Sequence, residues 1–183
     1  MEIYNEEELI VQLRDPETQR IAFTEVVSCY GEKLYWQIRK MVLSHEDSND
    51  ILQNTFLKAW NNIGNFRGEA KLSTWLYKIA VNECINFLKK QRAINNISID
   101  SEDSFLVEKL NSDPYFDGDE AALKLQRALL TLPEKQRLVF NMKYFDEMKY
   151  DEISEILGTT VGALKASYHH AVKKIETFLT ADL

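Results

Sequence analysis

The stretch EISEILGTTVGALKASYHHAVKKI, Glu152 to Ile175, decides the fold class of this chain. Asp151 to Leu157 places Ile153, Ile156 and Leu157 on one face, the spacing of a short amphipathic helix. Gly158 follows, a residue that tolerates the positive φ needed to end that helix and turn. Thr159 or Thr160 then offers a side-chain oxygen to cap a second helix. In that helix Leu164, Tyr168, Ala171, Val172 and Ile175 fall at i, i+4, i+7, i+8 and i+11, again one face. Ser154, four residues before the glycine, is small enough for the two helices to cross closely. Two helices joined through a glycine turn form a helix-turn-helix pattern.

The other face of the second helix carries Gly162, Lys165, Ala166, His169, His170, Lys173 and Lys174. Small residues near its start allow close approach to base edges, and cations further along meet phosphates. Val161 to Ile175 contains no carboxylate, although the chain holds 29 acidic against 22 basic side chains. Omitting acids removes repulsion from a DNA backbone; an ordinary lysine-bearing surface helix would share the pattern. The adjacent histidines are not a metal pair, since neighbours on a helix diverge by about 100° and pairs that share one ion sit at i, i+4.

Around this stretch lies a chain of 183 residues, 45% hydrophobic, with net charge −7. That balance excludes coating nucleic acid by bulk charge but permits local basic faces. Cys29 and Cys84 form no CxxC pair and read as reduced, buried thiols of a cytoplasmic protein. The start, MEIYNEEELI, has no basic segment followed by an apolar one, so no export signal is expected. No apolar run approaches membrane-span length. Helical periodicity runs through Thr24–Val42, Asp50–Ile63 and Leu72–Leu88, and resumes from Glu120. Between them, residues 96–119 hold seven acids and one lysine with Pro114 and Gly118, the composition of a flexible tether. The expected architecture is all-α: helical domains at 1–95 and 120–183 joined by an acidic linker at 96–119.

The N-terminal half carries a second cationic segment, NFRGEAKLSTWLYKIAVNECINFLKKQR, Asn65 to Arg92. A glycine-containing loop, aromatic residues and then a basic helix suit unstacked nucleic acid, with aromatics holding bases and cations tracking the backbone. A core role for Trp75 or Tyr77 is the competing reading. Just upstream, NDILQNTFLKAW buries Leu52, Phe56, Ala59 and Trp60 and leaves Leu57 beside amides, a protein-docking signature that is weak by itself.

Taken together, DILQNTFLKAW, FRGEAKLSTWLYKIAVN, LPEKQR and YDEISEILGTTVGALKASYHHAVKKI, in that order, resemble the extracytoplasmic-function (ECF) class of RNA polymerase sigma factors. The resemblance runs from about Ile21 to Leu179. It implies a transcription initiation factor without catalysis or cofactor. Its partners would be core RNA polymerase (the β′ clamp helices and the β flap), promoter DNA and an anti-sigma factor. It assigns core docking to Asp50, Gln53, Asn54 and Leu57. It assigns −10 recognition to Arg67, Lys71, Ser73, Thr74, Trp75, Lys78 and Asn82, with the Gly68–Trp75 loop holding a flipped base and Asn82 at the melting junction. For the −35 element it implies Lys143, Tyr150, Asp151, Gly162, Lys165, Ala166, His169, His170 and Lys173. Lys78 and Ile79 stand where primary sigma factors carry a tryptophan pair, a departure that fits the ECF class. Histidines stand where many ECF factors have arginines, a departure that removes bidentate guanine reading from this stretch. The acidic stretch would thread the polymerase's RNA path. A stand-alone helix-turn-helix regulator is the main alternative; the residues offer no phosphate loop, metal cluster or nucleophile–base set for a nucleic-acid enzyme, and an adaptor without DNA contact leaves two cationic segments unexplained.

Overall fold

The computed structural model of the chain describes residues 5–95, Leu110 and residues 120–181, and it is helical throughout with no strand among them. Helix α1 (Glu6–Arg14) starts where Asn5 accepts from the Glu7 amide at 3.2 Å, and three glutamates occupy its first turn, where the helix dipole favours anions. Helix α2 (Gln19–Val42) ends at Leu43, held left-handed with φ 57° while its side chain is buried. Helix α3 (His45–Asn62) begins five residues before the charge and apolar pattern suggests, because Ser44 caps it through the Asp47 amide at 3.2 Å. A short 3-10 turn, Ile63–Asn65, leads into the loop before α4 (Leu72–Asn95). Helices α2, α3 and α4 pack pairwise around Val26, Ile38, Ile51, Ala59, Leu76 and Ala80, with α1 laid on α2.

The C-terminal group comprises α5 (Glu120–Leu130), α6 (Glu134–Phe140) widening into a π turn at Asn141–Phe145, α7 (Tyr150–Leu157) and α8 (Val161–Thr180). Helix α8 packs on α5, α6 and α7, and α7 also packs on α4 of the first group. The larger core cluster accordingly runs without a break from Leu9 and Leu72 to Met142, Ile153 and Leu164.

The two groups of helices, whose relative arrangement the tether leaves open, share a packed and ion-paired seam in this structure. Two expectations change. Cys29 is exposed and only Cys84 is buried, because Cys29 falls on the outer face of α2. Trp60, assigned to an apolar core face, and Val27, one of the apolar periodic positions of Thr24–Val42, are 37% and 38% exposed and rim a groove. The acidic stretch 96–119 lies outside the described residues apart from Leu110, which is buried in the larger core.

Candidate nucleic-acid and polymerase interface

Asp50, Gln53, Asn54 and Leu57 follow i, i+3, i+4, i+7 spacing and form one exposed face of α3. Beside them lies a groove of about 450 Å³ lined by Arg20, Phe23, Thr24, Val27, Gln53, Phe56, Leu57 and Trp60. Phe23 supports its floor, with ring centroids 5.1 Å from Trp60 and 6.3 Å from Phe56 in edge-on contacts. Leu57 is 54% exposed. Three apolar side chains left open next to amides make a surface that loses free energy in water and regains it when covered. The α2 half of this groove was missed in the sequence, where Val27 read as a core-facing position and Arg20 was not singled out.

The loop entering α4 is held from α1. Arg14 Nη2 donates to the Arg67 carbonyl at 2.8 Å, and Glu6 Oε1 accepts from the Leu72 amide at 2.7 Å. Gly68 has φ +74°, and an added Cβ would meet Arg14 Nη2 at 3.2 Å, so both conformation and space call for glycine there. Trp75 is half-buried, its ring 5.1 Å from Phe66 on one side and open to a cleft on the other. That cleft, about 690 Å³, is lined by Lys58, Asn62, Asn65, Trp75, Ile79, Asn82, Glu83, Ile85, Asn86 and Lys89. Four asparagines with donor and acceptor capacity beside an indole face suit an unstacked base. The helical repeat Asn82, Asn86 and the run NNIGN were the available signal for the members not singled out, Asn62, Asn65 and Asn86.

The candidate −10 residues therefore divide. Trp75 and Asn82 share the cleft. Arg67 and Lys78 are exposed on the surface. Lys71, Ser73 and Thr74 instead line a second cavity, about 330 Å³, in the seam between the two helical groups. Lys71 pairs with Glu152 Oε1 of α7 at 3.0 Å, and Thr74 is 4% exposed. The Lys71 ammonium has its pKa raised by the hydrogen bond and the charge of Glu152; Glu152 has its carboxyl lowered, chiefly by the Lys149 amide and then by Lys71.

The helix-turn-helix is built as its sequence suggests. Gly158 sits at φ 62° and its amide donates to the Ser154 carbonyl at 2.9 Å. Thr160, not Thr159, caps α8 by accepting from the Ala163 amide at 3.3 Å. The Ser154 hydroxyl donates to the Thr159 carbonyl at 2.5 Å, so this residue stitches the turn as well as being small. Leu164, Ala171 and Ile175 are buried, and Gly162, Lys165, Ala166, His169, His170 and Lys173 are all exposed. Lys143 and Lys165 approach the Tyr150 ring at 5.2 and 5.8 Å, while Lys143 Nζ also donates to the Met148 carbonyl at 2.9 Å. Lys143, Tyr150 and Lys165 thus form one cationic cluster, with Asp151 exposed in the first turn of α7. Burial, and secondarily the neighbouring Tyr168, raises the Tyr150 hydroxyl above its usual pKa. His169 and His170 have ring centroids 6.0 Å apart, and no metal-binding group of three exists among the described residues.

Two helical groups, a helix-turn-helix with a carboxylate-free outer face and an amide-lined cleft beside an indole define a two-domain helical protein of the nucleic-acid-binding class. Comparison with known families sharpens this. Residues 26–94 match the Sigma-70 region 2 model and residues 122–175 the Sigma-70, region 4 model. The Bacillus subtilis ECF RNA polymerase sigma factor SigW is 32% identical over 156 residues, covering 81% of this chain and 83% of its own. The Haemophilus influenzae ECF RNA polymerase sigma-E factor is 30% identical over 163 residues, covering 85% and 86%. Among solved structures, CnrH in complex with the cytosolic domain of CnrY has the same fold at TM-score 0.71 and 22% identity, covering 97% of this chain and 99% of that one. The sigma factor RpoE in complex with the anti-sigma factor NepR, from Bartonella quintana, does so at 0.68 and 20%, covering 88% and 98%. The chain belongs to the ECF RNA polymerase sigma factors, a family of non-catalytic transcription initiation factors that direct RNA polymerase to promoters.

Proposed function

We propose that the chain binds core RNA polymerase through α3 and the adjoining groove, reads a −10 element with the loop and first turns of α4, and reads a −35 element with α8. Residues 1–95 and 120–183 act as the two working domains. Asp50, Gln53, Asn54 and Leu57 dock on the β′ clamp helices, with the groove from Arg20 to Trp60 receiving apolar side chains; the C-terminal domain meets the β flap. Trp75, Asn82 and the neighbouring amides take an unstacked non-template base, for which extrusion costs a few kcal/mol and pocket fit therefore selects sequence. Lys143, Tyr150, Asp151, Gly162, Lys165, Ala166, His169, His170 and Lys173 form the duplex-facing surface. The chain has no catalytic role of its own and works in the cytoplasm. Two solved relatives are complexes, with the anti-sigma factor NepR and with CnrY, and a partner of that kind fits the apolar groove when core polymerase is not on it.

The observation that carries this reading is the pairing, on one chain, of an acid-free exposed α8 face with the amide-lined cleft beside Trp75. No helix among the described residues is long and apolar enough to cross a membrane. The test is transcription with sigma-free core polymerase on sheared genomic DNA, with RNA 5′ ends sequenced. Discrete starts sharing two upstream elements are expected. Asn82→Ala should lose promoter opening and keep core binding. Footprints from the protein alone, without starts, would favour a stand-alone regulator.

A further inference from the structure

We propose that Glu83 is a specificity-determining residue of the cleft beside Trp75: its carboxylate admits a base that bears an exocyclic amine and rejects thymine. The proposal rests on the reading above that this cleft takes an unstacked base.

The cleft lies between the end of α3 and the first half of α4. Trp75, Ile79, Asn82 and Asn86 follow i, i+4, i+7 and i+11 spacing and form one stripe of α4 along it, with Glu83 one turn after Ile79. Trp75 and Ile79, both half-buried, offer apolar surface to a ring. Glu83 is the one carboxylate among the described residues that line the cleft. A carboxylate beside a nucleic-acid strand is repelled by its phosphates. Here it is retained and masked. Lys58 Nζ of α3 donates to Glu83 Oε1 at 2.5 Å, with the Glu83 side chain 14% exposed and that of Lys58 54%. A pair with one partner so open adds little to stability, so joining α3 to α4 does not account for it. The bond engages Oε1 and leaves Oε2 outside it. Asn62 supplies a second acceptor: its Nδ2 donates to the Lys58 carbonyl at 2.8 Å, so Oδ1 is the end not spent on the helix.

A flipped base is read on its Watson–Crick edge. Adenine, cytosine and guanine each carry an NH₂ group on that edge, two donors that can serve two acceptors. Thymine carries a single N–H between two carbonyl oxygens, so a carboxylate that approaches it also meets carbonyl lone pairs. A ring seated on Trp75 strips the last water from Glu83, and a buried acceptor left unmatched is penalised more than a matched one is rewarded. Rejection of thymine therefore does most of the selecting. Lys58 holds the site neutral, so that Glu83 selects among bases without driving off the strand.

The test uses holoenzyme assembled from the full chain and core polymerase, with fluorescent promoter bubbles whose non-template −10 strand is already unpaired. An abasic site walked along that strand finds the position the cleft holds. There, loss of the base weakens binding by the native protein and no longer matters in Trp75→Ala. At that position bubbles carrying adenine, cytosine or guanine should bind about tenfold or more tighter than one carrying thymine. Glu83→Gln, whose amide both donates and accepts, should bring all four within about threefold, chiefly by taking thymine better. Lys58→Met should weaken all four alike and keep the penalty on thymine. Circular dichroism and retained core binding identify variants that are folded. Equal native affinity for thymine, or a thymine penalty that survives Glu83→Gln, overturns the proposal and leaves the cleft reading standing. A penalty lost as fully in Lys58→Met as in Glu83→Gln assigns the effect to the α3–α4 pair and also overturns it. If no abasic position depends on Trp75, the cleft reading falls and the proposal falls with it.

Discussion

Leu57 gives the sharpest test of the docking surface. It is 54% exposed on α3, at the edge of the groove formed with Phe23, Phe56 and Trp60. Leucine to alanine removes about three CH₂ equivalents at ~0.8 kcal/mol each, and roughly half of that, ~1.3 kcal/mol, is still recoverable from water on docking. At 1.4 kcal/mol per tenfold, Leu57→Ala should weaken core polymerase binding by about tenfold. The remaining half of the side chain already packs in the free protein, so a small loss of stability accompanies it. Anisotropy titration of labelled protein with sigma-free core enzyme reads the affinity directly. Val11→Ala is the control: Val11 is 66% exposed but sits on α1, outside the groove. An unchanged Kd for Leu57→Ala, or an equal loss for Val11→Ala, refutes the placement of the docking face.

Lys165→Glu puts a carboxylate on the acid-free face of α8 and should depress initiation on every −35-dependent template, while the salt slope of promoter binding falls by about one. Gly158→Ala should cost about 1–2 kcal/mol, because φ is +62° while an added Cβ meets nothing within 4 Å; the cost is purely backbone and should lower Tm by several degrees in a melting curve. Cys29 is exposed and Cys84 buried, so a thiol reagent should titrate one equivalent in the native protein and two after denaturation. Burial, then the Glu83 charge, pushes the Cys84 thiol far up and deprives it of thiolate; Cys29 is raised more modestly, by slight burial and Glu25, so its labelling rate should still climb as pH passes 9.0.

What the sequence made legible is what local rules determine. The helix-turn-helix depends on i, i+3, i+4 periodicity, one glycine and one cap, all within 25 residues of each other. Periodicity names a face without saying what covers it. Val27 and Trp60 carry the pattern of core residues and yet rim an open groove, because no further helix among the described residues lies over them. The −10 candidates split for a related reason. Thr74 and Trp75 are neighbours in sequence, but consecutive helical side chains diverge by about 100°, so one enters the seam and the other the cleft. Asp146 was beyond reach. An acid beside Glu147 in a polar turn reads as solvated, and its partner Lys40 is 106 residues away.

The polarity of the seam bears on how a protein of net charge −7 handles DNA at all. Lys40, Lys71 and Arg92 belong to the half that would meet the −10 strand, and Asp146, Glu152 and Glu134 answer them from the other half. The acids of one group stand beside cations that the proposed −10 surface would otherwise present to a nucleic-acid backbone. Lys40, Lys71 and Arg92 are thus already paired, Arg67 and Lys78 stay exposed, and the overall negative charge repels non-specific duplex. The α8 face is likewise exposed and free of carboxylates from Val161 to Ile175. The α3 groove proposed for core polymerase lies outside the seam and stays open in this arrangement, so docking there requires no cation to give up its carboxylate.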